Sequence, residues 1–282
     1  MKKSIVITGA STGIGYAAAK ELIARGYRVF GSVRKAADGD RLQRELGEAF
    51  TPLLFDVTDH AALPAAVARV AAMVGEHGIA GLVNNAGIAH NGPLMHVPLD
   101  EFRWVFEVNV VGALAVTQAF LPLLGARRDC PHPPGRVINI TSISGGVTFP
   151  LFATYAVSKH ALEALSDGLR RELSIYGIEV SAIEPGTIQT PIWDKSSKEE
   201  LDTRFEHTDY AAVMAGLPAL VARQVKGAKP VSVVTDAIVA ALESPRPKTR
   251  YPLVALWHLR KFMSDRAMDR LAVKKIGLKP MR

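Results

Sequence analysis

A tyrosine and a lysine four residues apart are the side chains in this sequence that most directly suggest chemistry. Tyr155 and Lys159 stand in the segment Tyr-Ala-Val-Ser-Lys, and on a helix this spacing projects both from the same face. A free tyrosine has a pKa of about 10 and is a poor general base near neutrality, but a neighbouring ammonium stabilises the phenolate and lowers that pKa. We therefore expect Tyr155 to exchange a proton with an alcohol or carbonyl oxygen. Taken alone, the same spacing is also typical of surface pairs that have no role.

A serine stands where it can join this pair. Ser142 ends a predicted strand thirteen residues before Tyr155, and its hydroxyl can hydrogen-bond the same substrate oxygen. It does not stand in a Gly-x-Ser-x-Gly segment, the turn that presents the nucleophilic serine of many hydrolases. We therefore expect Ser142 to bind a substrate oxygen and not to attack a substrate.

A glycine-rich turn follows the first predicted strand, in the segment Thr-Gly-Ala-Ser-Thr-Gly-Ile-Gly at 8–15. Glycine permits a tight turn and lets backbone N–H groups approach a pyrophosphate at the positive end of the next helix. The spacing Gly-x-x-x-Gly-x-Gly differs from the standard dinucleotide fingerprint, and a plain turn is the alternative. Because no Lys-Ser or Lys-Thr pair follows the last glycine, a triphosphate-binding loop is not expected.

Short apolar runs and amphipathic segments alternate along the chain and must position these residues. Strands are predicted at 4–8, 28–33, 52–55, 81–84, 136–141, 179–183 and 250–254, and helices at about 13–25, 40–47, 59–77, 100–124 and 154–176. This alternation predicts an α/β fold, a Rossmann-type doubly wound parallel sheet of about seven strands with helices on both faces. Ligands of such sheets bind beyond the carboxyl ends of the strands, and the glycine-rich turn and Ser142 both fall at such ends.

Composition and charge place the chain among ordinary globular proteins. Its 282 residues are 48% hydrophobic and 22% charged, which predicts one domain over 1–253 followed by a helical extension over 254–282. The net charge of +7 is concentrated after residue 245, where eleven Lys or Arg face two Asp, so that residues 1–245 carry −2. Nucleic-acid binding is therefore not expected.

Location and metal content follow from the same composition. The only cysteine, Cys130, excludes an intrachain disulfide and fits a reducing compartment. No apolar stretch approaches the roughly 18 residues of a membrane-spanning helix, and the N-terminal apolar run is too short for a signal peptide, so a cytoplasmic protein is expected. The eight histidines show no paired metal-ligand spacing, and no metal site is expected.

Seven motifs in order give the sequence a resemblance to the short-chain dehydrogenase/reductase family. They are Thr-Gly-x-x-x-Gly-Ile-Gly at 8–15, Asp56-Val57, Asn-Asn-Ala-Gly at 84–87, Asn109, Ser142, Tyr155-x-x-x-Lys159, and Pro185-Gly186 followed by Thr190. The pattern is most similar to the branch that contains retinol and hydroxysteroid dehydrogenases. The resemblance implies an oxidoreductase that transfers a hydride between a nicotinamide and a secondary alcohol, ketone or aldehyde.

The resemblance also implies roles for individual residues. Tyr155 would be the general acid or base, and Ser142 would orient and polarise the substrate oxygen. Lys159 would hydrogen-bond the nicotinamide ribose and lower the tyrosine pKa, while Asn109 would hold a water in the proton relay. The cofactor contacts implied for this chain are Gly9, Ser11, Thr12, Gly13, Ile14, Gly15, Arg34, Asp56, Val57, Asn85, Ala86, Gly87, Tyr155, Lys159, Pro185, Gly186, Ile188 and Thr190.

The end of the second predicted strand indicates which nicotinamide cofactor is used. NAD-preferring relatives place an acidic residue there, whereas this chain has Arg34. An arginine fork can hold the 2′-phosphate of NADP(H) by charge-assisted hydrogen bonds. NADP(H) is therefore expected in preference to NAD. In the alternative, Arg34 is a solvated loop residue and Asp38 or Asp40 reaches the ribose.

Apolar residues around the predicted site indicate a hydrophobic substrate, although its identity and the direction of the reaction stay open. The residues expected to line its pocket are Leu94, Ile143, Val147, Phe149, Leu151 and Trp193, with 187–230 as a substrate lid. In the alternative, these side chains pack the lid on the core.

The C-terminal extension interleaves apolar residues with cations. Such a segment can make a weak peripheral contact with an anionic membrane or pack on its own subunit. The family resemblance favours a homodimer or homotetramer through the helices near 100–124 and 154–176. A nucleotide-binding regulator of the same fold without catalysis is the competing function.

Overall fold

Seven parallel strands form the sheet of this protein in a computed structural model, which describes residues 3–190, 203–260 and 262–278. The strand order is β3-β2-β1-β4-β5-β6-β7, which confirms the predicted fold class. The strands are β1 Ser4–Ile7, β2 Arg28–Val33, β3 Phe50–Leu54, β4 Gly81–Asn84, β5 Arg136–Ile140, β6 Glu179–Glu184 and β7 Arg250–Pro252.

The strand order reverses beside β1, which pairs with β2 on one side and with β4 on the other. Ile5 is in register with both Val29 and Gly81. All four residues of β1 are buried, as expected for a parallel strand covered on both faces. Because the crossovers leave β1 in opposite directions, a crevice opens beyond its carboxyl end, where Gly9 begins the glycine-rich turn.

Helices cover both faces of the sheet. One apolar layer joins the helices that contain Ala18, Leu22 and Ile238 to the sheet, and the other joins those that contain Val70 and Phe120. The helices are α1 Gly13–Ala24, α2 Ala36–Leu46, α3 Leu63–Val74, α4 Leu99–Phe106, α5 Gly112–Phe120, α6 Ala153–Glu172, α7 Ala211–Lys226, α8 Ser232–Glu243, α9 Leu256–Arg260 and α10 Asp265–Ile276.

The helix predicted at about 100–124 contains a π turn, Glu107–Val111, between α4 and α5. By length and composition the whole stretch Leu99–Leu124 could cross a membrane, so the statement that no stretch approaches this length and apolarity is wrong. Its side chains Val105, Val116, Phe120 and Leu124 are fully buried. One side of the stretch is therefore buried, as expected of an amphipathic helix that packs on a sheet.

The helix α10 packs on the region of the predicted lid. Ile276 of α10 lies in one apolar cluster with Met214 and Leu217 of α7, and the same cluster contains Leu151 and Phe205. The extension is thus in contact with the main domain, as the interpretation of packing on its own subunit predicted. The prediction of 1–253 and 254–282 as separate parts remains a prediction.

Candidate active site

Ser142 and Tyr155 meet at the carboxyl end of β5. Ser142 follows the strand by two residues and begins the short turn Ile143–Gly145, where its Oγ accepts a hydrogen bond of 3.0 Å from the backbone N–H of Ser144. Tyr155 lies in the first turn of α6, and its hydroxyl is close enough to the Ser142 side chain for Ser142 to lower the pKa of the phenol. Two oxygens that can both contact one substrate oxygen are therefore adjacent.

The pKa of Tyr155 is raised above its ordinary value of 10.0. Burial of the phenol is the main cause, because the phenolate loses solvation, and the Ser142 side chain opposes it. The expectation that Lys159 brings this pKa below 10 is wrong for this arrangement. The reason is desolvation, which the Tyr-x-x-x-Lys spacing does not reveal.

Lys159 lies one turn along α6 and is buried, with 4% of its surface exposed. Its Nζ donates a hydrogen bond of 2.8 Å to the carbonyl oxygen of Ile140 and lies 5.6 Å from the centroid of the Tyr155 ring. Burial lowers the pKa of Lys159 from 10.5 to about 8, and the carboxylate of Glu163 opposes this shift. The lysine is therefore close to Tyr155, as predicted, and it loses its proton at a lower pH than a free lysine.

Asn109 occupies the middle of the π turn and is 1% exposed. Its Oδ1 accepts from the N–H of Ile88 at 2.8 Å, and its Nδ2 donates to the carbonyl of Ile88 and to Ser158 Oγ, each at 2.9 Å. Ser158 Oγ in turn donates to the Tyr155 carbonyl at 2.7 Å. Asn109 thus connects the segment after β4 to the first turns of α6, and π turns are frequent at functional sites. The predicted role in holding a water stays a prediction.

The glycine-rich turn needs its glycines. Gly9 and Gly13 have φ values of +65° and +60°, which side chains rarely adopt. A Cβ on Gly15 would lie 2.3 Å from the carbonyl oxygen of Gly9. Within the described chain, the side chain of Thr12 makes no capping hydrogen bond to α1, so the first N–H groups of that helix can bind an anion. Ser11 and Ile14 complete the turn, and this close-packed cradle fits a dinucleotide pyrophosphate.

Two side chains hold the turn against the end of β4. Thr8 Oγ1 accepts from the backbone N–H groups of Asn85 and Ala86 at 2.9 and 3.0 Å. The side chain of Asn85 donates to the carbonyls of Thr8 and Gly9 at 2.9 and 3.0 Å. Asn85 and Ala86 therefore support the turn, while the neighbouring Gly87 is exposed.

Arg34 follows β2 and lies on the surface, 68% exposed, with Nη1 4.0 Å from Asp56 Oδ2. Asp56 Oδ1 also accepts from the N–H and hydroxyl of Thr58. Arg34 and Asp56 are thus brought together beside the predicted adenosine end. Val57 is 6% exposed and packs on Gly112, so its side chain belongs to the core.

Sequence reasoning missed Arg41 in α2. Its Nη2 donates a hydrogen bond of 2.7 Å to the carbonyl oxygen of Ser11 in the glycine-rich turn. Asp38 and Glu45 flank the guanidinium at 3.7 and 3.2 Å. No local motif marks this residue, because the contact depends on how α2 packs beside the turn.

The segment after β6 approaches the glycine-rich turn from the other side. A Cβ on Gly13 would lie 3.6 Å from Cβ of Thr190. Ile188 is 4% exposed and forms a parallel bridge with Lys229. Pro185 is buried and Gly186 lies against Val254. Of this predicted group, Thr190 is therefore the residue nearest the cradle.

The residues predicted to line a substrate pocket lie in different environments. Leu94 is exposed, Ile143 is half-buried, and Phe149 lies under Lys275, whose Nζ is 4.8 Å from the ring centroid. Val147 and Leu151 are 2% and 3% exposed. Leu151, with φ of +69°, packs in the cluster under α7, as the alternative interpretation predicted for it. Trp193 lies outside the described residues.

Two further observations concern other kinds of site. In the described ranges 3–190, 203–260 and 262–278, no group of three or more His, Cys, Asp or Glu could hold a metal ion. A cleft of about 560 Å³ is lined by residues between Gly125 and Pro134 together with Ile175 and Tyr176. These residues precede β5 and β6, so the cleft lies at the amino ends of the strands, away from Tyr155.

Comparison with known proteins identifies the same family that the sequence motifs resemble. Residues 3–201 match the sequence model of the family described as short chain dehydrogenase. The chain is 40% identical over 273 residues, 95% of each protein, to an NADPH-dependent 3-dehydrocapnine reductase of Ornithobacterium rhinotracheale. It is 34% identical over 265 residues to retinol dehydrogenase 16 of Rattus norvegicus, covering 88% of this chain and 80% of that protein.

A solved structure has the same fold over almost the whole length. It is a short-chain dehydrogenase from Streptomyces avermitilis, 27% identical, with a TM-score of 0.75 and coverage of 98% of this chain and 97% of that one. With a seven-stranded parallel sheet, Ser142 and Tyr155 in contact, and a family match over more than half of its length, this chain belongs to the short chain dehydrogenase family of oxidoreductases.

Proposed function

We propose that the protein is an NADP(H)-dependent oxidoreductase that interconverts a hydrophobic secondary alcohol with its ketone, or an alcohol with its aldehyde, and that Tyr155 is its general acid and base. The observation that carries this proposal is that Tyr155 lies beside Ser142 and one helical turn from buried Lys159, whose Nζ is 5.6 Å from the centroid of the Tyr155 ring. These groups stand at the carboxyl end of β5, where a doubly wound sheet binds its ligands.

Each residue has a distinct task in carbonyl reduction. Ser142 holds the carbonyl oxygen, and Tyr155 donates its phenolic proton to that oxygen. The raised pKa of Tyr155 keeps the phenol protonated at neutral pH, which suits the acid role. Lys159 would hydrogen-bond the nicotinamide ribose, and a bound NADPH would supply the hydride to the carbonyl carbon. The protonated phenol favours reduction at neutral pH.

The preference for NADP(H) rests on the charge beside the adenosine end of the cradle. Arg34 is exposed and therefore free to turn towards a 2′-phosphate, and its contact with Asp56 is long at 4.0 Å. An exposed ion pair at that distance contributes little free energy, so the guanidinium can exchange Asp56 for a phosphate. The name of the 40% identical relative, an NADPH-dependent reductase, also supports this choice.

A hydrophobic substrate is supported by Ile143 and Phe149, which are both partly buried and follow Ser142 in the sequence, and by similarity to a retinol dehydrogenase.

We also propose a cytoplasmic homodimer or homotetramer, in which exposed Trp104, Val111 and Val157 of the helices α4 to α6 would be covered. Light scattering would measure the number of subunits in the assembly.

We also propose a weak membrane contact through Phe262, whose side chain is 87% exposed. If this contact exists, Phe262→Ser should no longer co-sediment with liposomes.

The decisive experiment compares wild type with Tyr155→Phe. NADPH oxidation would be followed with ketones and aldehydes graded by size, and NADP+ reduction with the matching alcohols. We expect Tyr155→Phe to bind NADPH as wild type does and to lose at least about 100-fold in kcat, because the proton donor is removed. Unchanged turnover would refute the role of Tyr155.

A matched control is Tyr176→Phe, which removes the hydroxyl of a surface tyrosine beyond α6 and should leave kcat unchanged. Tight NADPH binding without turnover across the whole panel would instead favour a regulator that binds the nucleotide and does not react.

A further inference from the structure

A buried carboxylate lies one helical turn beyond Lys159 and is not explained by the reaction. Glu163 is 6% exposed, and it continues the row formed by Tyr155 and Lys159 at intervals of four residues along α6. Isolated ionised carboxylates are costly to bury, so its position calls for a partner and a task.

The partner comes from the far edge of the sheet. Nε of Arg250, in β7, donates to Glu163 Oε2 at 2.9 Å. The same guanidinium contacts Asp167 at 3.0 Å and the fully buried Glu184 of β6 at 3.4 Å. Three carboxylates thus share one arginine, and Glu163 is the one nearest Lys159 along the helix. Asp167 also pairs with Arg170 at 2.8 Å and with Arg171 at 3.8 Å, so Arg250 is divided mainly between the two buried glutamates.

The remaining oxygen of Glu163 takes no part in the contact with Arg250. Among the described residues, buried Oε1 has no hydrogen-bond partner. The turn that carries Ser142 packs against it: a Cβ on Gly145 would lie 2.8 Å from Glu163 Cγ and 3.0 Å from the Lys159 carbonyl oxygen. Glu163 is therefore enclosed between the catalytic turn and the Arg250 cluster, where its field is poorly screened by solvent.

We propose that Glu163, held by Arg250, is a positioning residue that keeps the ammonium of Lys159 charged while the site works, an inference that rests on the proposed function. Among the described residues, two uncharged groups lie near the Lys159 ammonium: the Ile140 carbonyl, which accepts from Nζ at 2.8 Å, and the Tyr155 ring, whose centroid is 5.6 Å from Nζ. Burial lowers the pKa of Lys159 and the carboxylate of Glu163 raises it, and the resulting pKa is about 8.

The test is the pH profile of kcat/KM for NADPH, which reports groups of the free enzyme. In wild type we expect activity to fall as the pH rises through about 8, where Lys159 loses its proton. Glu163→Gln keeps an oxygen for Arg250 but removes the negative charge. The pKa of Lys159 should then fall, and the alkaline limb of the pH profile should move to lower pH by about one unit. The ratio of wild type to variant would then be about five at pH 8 and close to one at pH 6.

Two variants control the interpretation. Asp167→Asn removes a carboxylate that contacts the same Arg250 two turns from Lys159, and it should leave the limb in place. Glu163→Asp keeps the charge one methylene farther from Lys159 and should move the limb by a smaller amount in the same direction. It carries the test alone if Glu163→Gln folds poorly. An equal loss at pH 6 and pH 8 in the Glu163 variants would overturn the proposal.

A second readout does not depend on turnover. Because the folded-state pKa of Lys159 is about 8 and its ordinary value 10.5, the unfolded chain binds one more proton between these values. The free energy of unfolding therefore rises with pH in this window. In Glu163→Gln the free energy of unfolding should begin to rise about one pH unit lower than in wild type. When Lys159→Met is present in both proteins, this difference between Glu and Gln at residue 163 should vanish. If the pH at which the free energy of unfolding begins to rise is the same in Glu163→Gln and wild type, the role of Glu163 is overturned, even if the enzyme is active. If that pH is lower in the variant but the protein shows no turnover, only the proposed function is refuted.

Discussion

The indole ring of Trp257 lies directly on Gly146, so that a Cβ atom at residue 146 would be 2.3 Å from Cζ3 of the ring. Gly146 follows the turn that carries Ser142, and Trp257 lies in α9 of the extension. We expect Gly146→Ala to displace the ring and to lower the free energy of unfolding by about 1–3 kcal/mol, the usual cost of overpacking. Urea unfolding would measure it.

Gly168→Ala is the matched control for Gly146→Ala. It lies inside α6, and a Cβ there would meet nothing within 4 Å. Because alanine is the better helix former, this variant should be stabilised by about 0.5–1 kcal/mol. A Gly146→Ala protein as stable as wild type would contradict the packing described here.

The cradle predicts a second effect, at Gly15. A Cβ there would lie 2.3 Å from the Gly9 carbonyl oxygen and 2.5 Å from Asn85 Nδ2, so Gly15→Ala must open the turn. We expect the dissociation constant for NADPH, measured by fluorescence titration, to rise at least about 10-fold, a loss of about 1.4 kcal/mol. Gly216→Ala in α7, where a Cβ meets nothing within 4 Å, should bind NADPH as wild type does, and equal affinities for all three proteins would argue against the cradle.

Cofactor choice can be tested at Arg34. Hydrogen bonds to charged groups contribute about 1.5–3 kcal/mol, so Arg34→Ala should raise the KM for NADPH by roughly 10- to 100-fold and change that for NADH much less. Arg103→Ala is the control, because it removes an equally exposed cation that pairs with Asp100. Equal changes for NADPH and NADH in Arg34→Ala would end the assignment of Arg34 to the 2′-phosphate.

The contact between Ser142 and Tyr155 predicts a pH effect on alcohol oxidation. Ser142 lowers the pKa of Tyr155 against the larger effect of burial, so Ser142→Ala should raise that pKa. Alcohol oxidation needs the phenolate as base. In Ser142→Ala the rate of oxidation should therefore begin to rise at a higher pH than in wild type, and kcat should be lower by about 100-fold. Ser144→Ala, which keeps the backbone N–H that Ser142 accepts from, should retain the wild-type profile. Coincident profiles for Ser142→Ala and wild type would exclude the effect.

The sheet and the catalytic pair could be predicted from the sequence because their signals are local. Apolar runs ending in glycine or polar residues located β1 to β6 within about two residues, and the four-residue spacing placed Tyr155 and Lys159 on one face of α6. The sequence analysis does not predict α7, because its segment lacks a firm hydrophobic period, and it makes no prediction for the segment of α8.

What could not be predicted depends on contacts between distant residues. Glu163 and Arg250 are 87 positions apart, and Arg41 reaches Ser11 across 30 positions. The direction of the Tyr155 pKa was wrong because spacing shows a neighbouring charge but not the loss of water around the phenol. The π turn at Asn109 also carries no signal in its Val-Asn-Val-Val sequence.

The π turn between α4 and α5 sets the rotational phase of two helices. An α-helix rotates by about 100° per residue, and a π turn accommodates one residue more than an α-helical turn. Val105 before the turn and Val116 after it are both fully buried. Deleting one residue from Glu107–Val111 would therefore leave a regular α-helix with Val105 and Val116 still facing the interior, but it would remove the wide turn from which Asn109 contacts Ile88 and Ser158.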